Sequence, residues 1–412
     1  MVRSVLNLSA ARRCAGLLPL VVTAAVTQGL GACGKKASDE ATSTATPYSG
    51  IAIAAVAPDY SSSKLYFQSL KDGLPTGDIK TLLTGESGDP LPITLDNKLY
   101  FFNRVATSSN FRTLDPKQAD GAPTTQIKTE KAGVGDPQDG LMLSGNRLLL
   151  AHLAGKLVVV NPTDGSVKQE ITADWDLGSD AADLLRPVAF YVQANSVSRE
   201  IYVLHQGQKA DFSGYNNSQQ LFILKDDGSQ LTAVDVDSTK AKIQGIKLNV
   251  FNPQIIVGTT DPTKPIVAGF CTVFDTVSPC TSGFERVDLA NRSSTLIFDR
   301  STATEKGNGN VVGAKSGKFY AAVAASDGAG GYKSQIQVFD PTAATAKTFY
   351  ELTDTNYAAY ALGYDLSANR LYVGEKKSDQ TGQFAIFDLS TEGSTPTNLA
   401  LPLPPYKVAF VP

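Results

Sequence analysis

The sequence predicts an all-β chain in which one four-stranded unit repeats around a ring, and three observations carry this. A charged or polar residue followed by an aliphatic, Tyr or Leu, aliphatic triplet occurs as Lys64-Leu-Tyr-Phe, Lys98-Leu-Tyr-Phe, Arg147-Leu-Leu-Leu, Glu200-Ile-Tyr-Val, Lys318-Phe-Tyr-Ala and Arg370-Leu-Tyr-Val, with a weaker copy at Gln254-Ile-Ile-Val. Asp or Asn closing a second apolar run, with Gly soon after, gives the tight turns that antiparallel neighbours need. No segment sustains a helical period, and 181–185 amounts to one turn at most. Four-stranded units spaced about 30 to 60 residues apart predict a seven-bladed β-propeller, with eight blades or a pair of sandwiches as alternatives.

The first residues read as an address. Arg3, Arg12 and Arg13 form a basic head, and 15–27 is apolar without a charge. That run is shorter than the roughly 20 residues of a membrane span, so it reads as a cleaved export signal over 1–32. It ends in Leu30-Gly31-Ala32-Cys33, which resembles the lipobox of bacterial lipoproteins. The resemblance implies that Cys33 becomes the mature first residue, carrying diacylglycerol and an N-acyl chain. Several acyl chains hold a protein on a bilayer far better than one does. Gly34 follows, where an Asp would imply retention in an inner membrane, so the outer membrane of the cell envelope is the expected location. Residues 33–49 are mostly Lys, Ser, Thr, Asp, Glu and Ala without apolar rhythm, the composition of a disordered tether.

The body, 50–412, carries the repeat. After most triplets comes a second apolar strand, such as Leu157-Val-Val-Val-Asn161, Leu221-Phe-Ile-Leu-Lys225, Ile336-Gln-Val-Phe-Asp340 or Phe384-Ala-Ile-Phe-Asp388, each running into a turn. Blades are expected to start near 51, 89, 141, 187, 253, 309 and 359. Lys407-Val-Ala-Phe-Val411 copies the opening strand of a blade and is expected to complete the one begun at 51–57. Closure of this kind removes open sheet edges. The repeat resembles that of YVTN-type propellers, which join a Leu-Tyr-Val strand to a Val-Ile-Asp strand and a Thr/Gly turn. What that resemblance implies is fold rather than activity.

Composition narrows the function classes. A net charge of −3 gives no general pull toward nucleic acid. Two His, two Met and one Trp leave little for a haem or a multi-His metal centre, and no metal or cofactor is expected. Cys271 and Cys280, nine residues apart in an exported chain, are expected to form one disulfide. No nucleophile elbow, phosphate loop, dinucleotide fingerprint or His-Glu-x-x-His motif is present.

Aligning the triplets nominates a binding face. Their last residues are Ser69, Asn103, His152, His205, Thr259, Val323 and Glu375, so both histidines of the chain fall at matched positions in neighbouring units. Matched positions are expected to form a rim around a central opening, with Asn103, His152, His205 and Glu375 on it. Two long connections add contact residues: 206–219 with Lys209, Phe212, Tyr215 and Asn216, and 325–334 with Tyr332. Loops rich in Tyr, Asn, Ser and Gly make adaptable contact surfaces. The resulting expectation is a lipid-anchored envelope protein with a monomeric body that binds a protein or glycan. A propeller lyase, hydrolase or lactonase, and a lineage-specific protein of adhesion or motility, are the alternatives.

Overall fold

Short apolar runs bounded by turn residues make strands that are buried on both sides, because successive side chains leave a strand in opposite directions. The computed structural model describes residues 47–412 apart from 87, 105–109, 117–126, 129–135, 153–154, 179–184, 194–198, 210–214, 216–217, 260, 271–280, 301–305, 327–331 and 353–360. At 306–309, 326 and 332 it describes the backbone alone. No helix occurs among the described residues. The strands form seven antiparallel sheets of four, one of which gains a short fifth strand. Their innermost strands are Pro405–Val411, Pro90–Leu95, Pro137–Leu143, Pro187–Val192, Pro253–Val257, Lys306–Gly313 and Ala361–Asp365. Each touches the next and the last touches the first, which closes a seven-bladed β-propeller. We number the blades 1 to 7 in that order.

Blade 1 is built from both ends of the body. Its order from the axis outward is Pro405–Val411, Gly50–Val56, Ser63–Lys71 and Leu74–Glu86. Gly50 lies opposite Val411 and Ile53 opposite Val408, so the C-terminal strand fills the inner position that the first strand leaves open. The Ser49 amide donates to Val411 O at 2.8 Å, and Tyr48 packs on Phe410 with ring centroids 5.1 Å apart. Thr94 Oγ1 of blade 2 donates to Phe410 O at 2.7 Å, and Tyr372 OH of blade 7 donates to Gly73 O at 2.6 Å. The closing blade is thus held from both sides.

Two positions in the sequence alignment need correction. Lys64-Leu-Tyr-Phe lies on the third strand of blade 1, since the second is Gly50–Val56. Gln254-Ile-Ile-Val lies on the innermost strand of blade 5, whose second strand is Ile266–Gly269. A period of two identifies a strand but not its place within a blade. Residues 259–285 contain that second strand.

The core is divided among the seams. Seven clusters of buried apolar residues each draw on two consecutive blades, from Leu99 and Phe101 against Ala52 and Phe67 to Tyr372 and Phe384 against Phe410. Both sides of most strands are consequently buried, as with Gly50–Val56. Ion pairs cross the seams: Arg147 forks onto both Asp226 oxygens at 2.7 and 3.0 Å, and Arg292 meets Glu200 at 2.5 Å.

The two ends of the ring differ. Innermost strands of five blades start with Pro, and four of those have a register shift next to it, at Pro137, Pro187, Pro253 and Pro405. Proline lacks a ladder donor and is tolerated at a first strand position or a bulge. We call this end the proline face. The opposite end, the turn face, carries the short turns that follow the innermost and third strands.

Replacing Phe410, which is 3% exposed, by Ala removes a ring from the closing strand. Its expected cost is about 3–5 kcal/mol of unfolding free energy, measured by urea denaturation. A loss below about 1 kcal/mol would mean that the closing strand is not packed as described.

Candidate functional site

The proline face gathers the ends of the second strands and the starts of the innermost ones. Pairing places Pro90 opposite Asn103, Pro137 opposite His152 and Pro187 opposite His205. The sequence alignment thus identified matched positions correctly in these blades. It did not identify what those side chains meet.

Alternation along each second strand turns this position into a seam, toward the preceding blade. Asn103 Nδ2 donates to Glu86 Oε2 of blade 1 at 3.1 Å. Val323 belongs to the cluster between blades 5 and 6. Glu375 accepts from Gln383 Nε2 at 2.7 Å and hydrogen-bonds Tyr350 of blade 6. His205 follows Ile201 and Val203 on the side packed against blade 3, and His152 follows Leu148 and Leu150 on the side packed against blade 2. His152, His205 and Glu375 are 0%, 1% and 4% exposed. They occupy separate seams, so the expected shared rim of Asn103, His152, His205 and Glu375 is not formed. A second strand has a neighbour on both sides; only the innermost strand borders the axis.

His205 shows what the seam does to such a residue. Its Nδ1 accepts from the Arg186 backbone amide at 2.9 Å, which puts the ring proton on Nε2. Burial, and then the charge of Arg186, push its pKa down to about 3, so it stays neutral. The Phe222 ring lies 5.8 Å away between centroids.

The loop residues separate similarly. Tyr215 is 8% exposed and packs edge-on against Phe251 at 5.2 Å, so it is a packing residue and not a surface contact. Lys209 stays half-buried on the proline face, its backbone carbonyl accepting from Arg186 at 3.4 Å. Tyr332 opens the strand Tyr332–Asp340, opposite Ser326, and is not in a loop. Phe212, Asn216, Cys271, Cys280 and Cys33 lie outside the described residues.

The charged cluster that does converge comes from residues beside the prolines. Asp89 precedes Pro90, Asp136 precedes Pro137, Arg186 precedes Pro187 and Asn252 precedes Pro253. Arg104, directly after Asn103, reaches across two blades. It pairs with Asp89, donates to Gln138 Oε1 at 2.9 Å and places Nε 3.9 Å from Asp136. Tyr406, from the closing strand, hydrogen-bonds Asp89. Arg104 and Asp89 therefore link blades 1, 2 and 3 at the proline face. Next to it, Gln206 donates to Asn252 Oδ1 at 2.7 Å, and Gln254 donates to the same oxygen.

Electrostatics single out Asp136. Arg104 is fully buried at its side chain, while Asp136 keeps 23% of its side-chain surface exposed. Burial pushes the Asp136 carboxyl up to about 6, Asp89 adds to the rise, and Arg104, Gln138 and Arg186 oppose it. A carboxyl in that range, beside a guanidinium, can exchange a proton near neutral pH. Among the described residues no three His, Cys, Asp or Glu side chains are grouped so as to hold a metal ion. A recurrent Asp, Arg or Asn before Pro was the available signal for this cluster.

No family model matches the chain, and no curated protein matches it. Solved structures do. A Lactobacillus plantarum protein matches with a TM-score of 0.59 at 10% identity, over 89% of this chain and 100% of that one. A provisionally named 6-phosphogluconolactonase from Bacteroides fragilis gives 0.55 at 13% identity, over 90% and 99%. The periplasmic gluconolactonase of Pseudomonas aeruginosa gives 0.54 at 14% identity, over 89% and 99%. Identity this low shows a common fold and nothing further.

Because the folded pKa of Asp136 lies above the ordinary carboxylate value of 3.8, the folded protein holds this proton more tightly than the unfolded chain. The contribution of Asp136 to stability is therefore greatest below about pH 4 and declines as pH rises to about 6. Relative to the wild type, Asp136→Asn should gain about 1–3 kcal/mol between those limits. Equal pH profiles for the two proteins in urea titrations would contradict this.

Proposed function

We propose that this protein is a bacterial envelope lipoprotein, held on a membrane by acyl chains on Cys33, whose propeller offers its proline face to a protein or glycan partner. The observation that supports a binding role is the Arg104 cluster. It joins three blades beneath the face and cross-neutralises its own charges, which makes a stiff platform for the connections above. Loops on a rigid scaffold hold a contact surface in place at low entropic cost. The likeness of Leu30-Gly31-Ala32-Cys33 to a lipobox supports the membrane attachment, and a disulfide between Cys271 and Cys280 would close the connection after the second strand of blade 5.

One observation favours a second reading. Asp136 is partly exposed, burial pushes its carboxyl up to about 6, and a guanidinium lies beside it, which suits general acid–base hydrolysis of a small lactone or ester. One solved structure of similar fold is a gluconolactonase, which gives a substrate class for the test.

Photocrosslinking in intact cells separates the two. A crosslinker at Lys209 should capture one discrete envelope protein or glycan, and the same group at Ala343 on the turn face should not. Cys33→Ser should shift the protein from the membrane to the soluble fraction. Absence of capture, together with gluconolactone hydrolysis that Asp136→Asn abolishes, would replace the binding role by the enzymatic one.

A further inference from the structure

The described chain begins at a defined end of the ring. The described chain emerges at Pro47, which is exposed, while Tyr48 is 6% exposed and fixed against Phe410. Ser49 binds the last two residues, its amide to Val411 O and its Oγ to Pro412 O, both at 2.8 Å. These contacts lie where the innermost strand of blade 1 ends and the second begins, since Gly50 is opposite Val411. The other end of the same pair, Ala55 opposite Pro405, is on the proline face. The described chain therefore begins, at Pro47, on the turn face. It also begins near the axis, because the two strands involved are the first and second of their blade.

We infer that the membrane-bound protein lies with its turn face toward the bilayer and its proline face pointing away. This rests on the anchoring of Cys33 proposed above. The chain from Cys33 to Pro47 spans fourteen residues. Fully extended, that length reaches at most about 50 Å, and an unstructured polar chain of the same length averages about 20 Å end to end. From the turn face the average reach is sufficient with the ring in any modest tilt. Presenting the proline face instead would take the tether past two outer strands, about 10 Å, and then along a strand length of about 20 Å, before it met the membrane. That route of about 30 Å exceeds the average end-to-end distance of an unstructured chain of this length.

The consequence concerns the partner. The surface carrying Lys209 and the Arg104 cluster would address soluble or opposing-surface molecules, and the hairpin turns would address lipid headgroups. A partner embedded in the same membrane would have to project above the ring to reach the proline face.

The test uses full-length lipidated protein in phospholipid vesicles that carry a headgroup-attached quencher. A fluorescent non-natural residue is placed at Ala343, an exposed turn-face position, or at Ser378, an exposed position in the proline-face turn between Arg370–Lys376 and Gly382–Asp388. Quenching several-fold stronger at Ala343 than at Ser378 is expected. Vesicle-bound protein with equal quenching at both positions, or stronger quenching at Ser378, would overturn the orientation. If the protein does not float with the vesicles, and Cys33→Ser behaves as the wild type does, then the anchoring itself is wrong. Shortening the tether by deleting 36–43 gives a second check, because it should widen the difference between the two positions; a narrowed difference would count against the inference.

Discussion

Everything in this ring depends on one strand pairing: Gly50–Val56 against Pro405–Val411. Six blades are made of consecutive strands and form from local contacts. The remaining one needs the two ends of the body to meet across more than 350 residues, as the Ser49 contact with Pro412 shows. Such a long closure is entropically costly and slow, and it is repaid only when the seams on both sides of blade 1 are filled. Phe410, Val408 and Ile53 fill one of them against blade 7; Ala409 and Ala52 fill the other against blade 2.

The same closure explains where charge could be placed. Residues on second strands lie between two blades, so a polar side chain there must find a partner inside a seam or stay neutral. Asn103 does the first with Glu86, and His205 does the second with its proton on Nε2. Beside the prolines, where innermost strands begin, groups from three blades come together. Arg104 exploits that position, and Tyr406 connects the closing strand to it. A guanidinium is suited to this task because its rigid fork serves several acceptors at once and it does not lose its charge. Removing one member of such a buried set leaves the others without compensation.

Much of this was legible in the residues. The triplets at Lys98, Arg147, Glu200, Lys318 and Arg370 mark five second strands, and Lys407-Val-Ala-Phe-Val411 marks the closing strand. Blade 1 was misaligned because its second strand reads Gly-Ile-Ala-Ile-Ala-Ala-Val, which lacks the aromatic of the motif. Blade 5 was misaligned because Pro-Gln-Ile-Ile-Val has the same alternation as a second strand and lies one position inward. The histidines were matched correctly in register, but their direction was not visible, since alternation sets a side chain's face only once the neighbouring blade is known. The Arg104 cluster joins residues from Asp89 to Tyr406, and no local spacing encodes such a meeting. Its only sequence trace is the polar residue standing before proline in blade after blade.

Hydrogen exchange over the closing pair tests the central claim most directly. If the ring closes as described, the amides of Gly50–Val56 and Pro405–Val411 exchange together, at the slow rate of the innermost strands of the other blades. Fast exchange of Pro405–Val411 beside protected neighbours would show an open ring, and would contradict both the composite blade and the placement of Pro47 on the turn face.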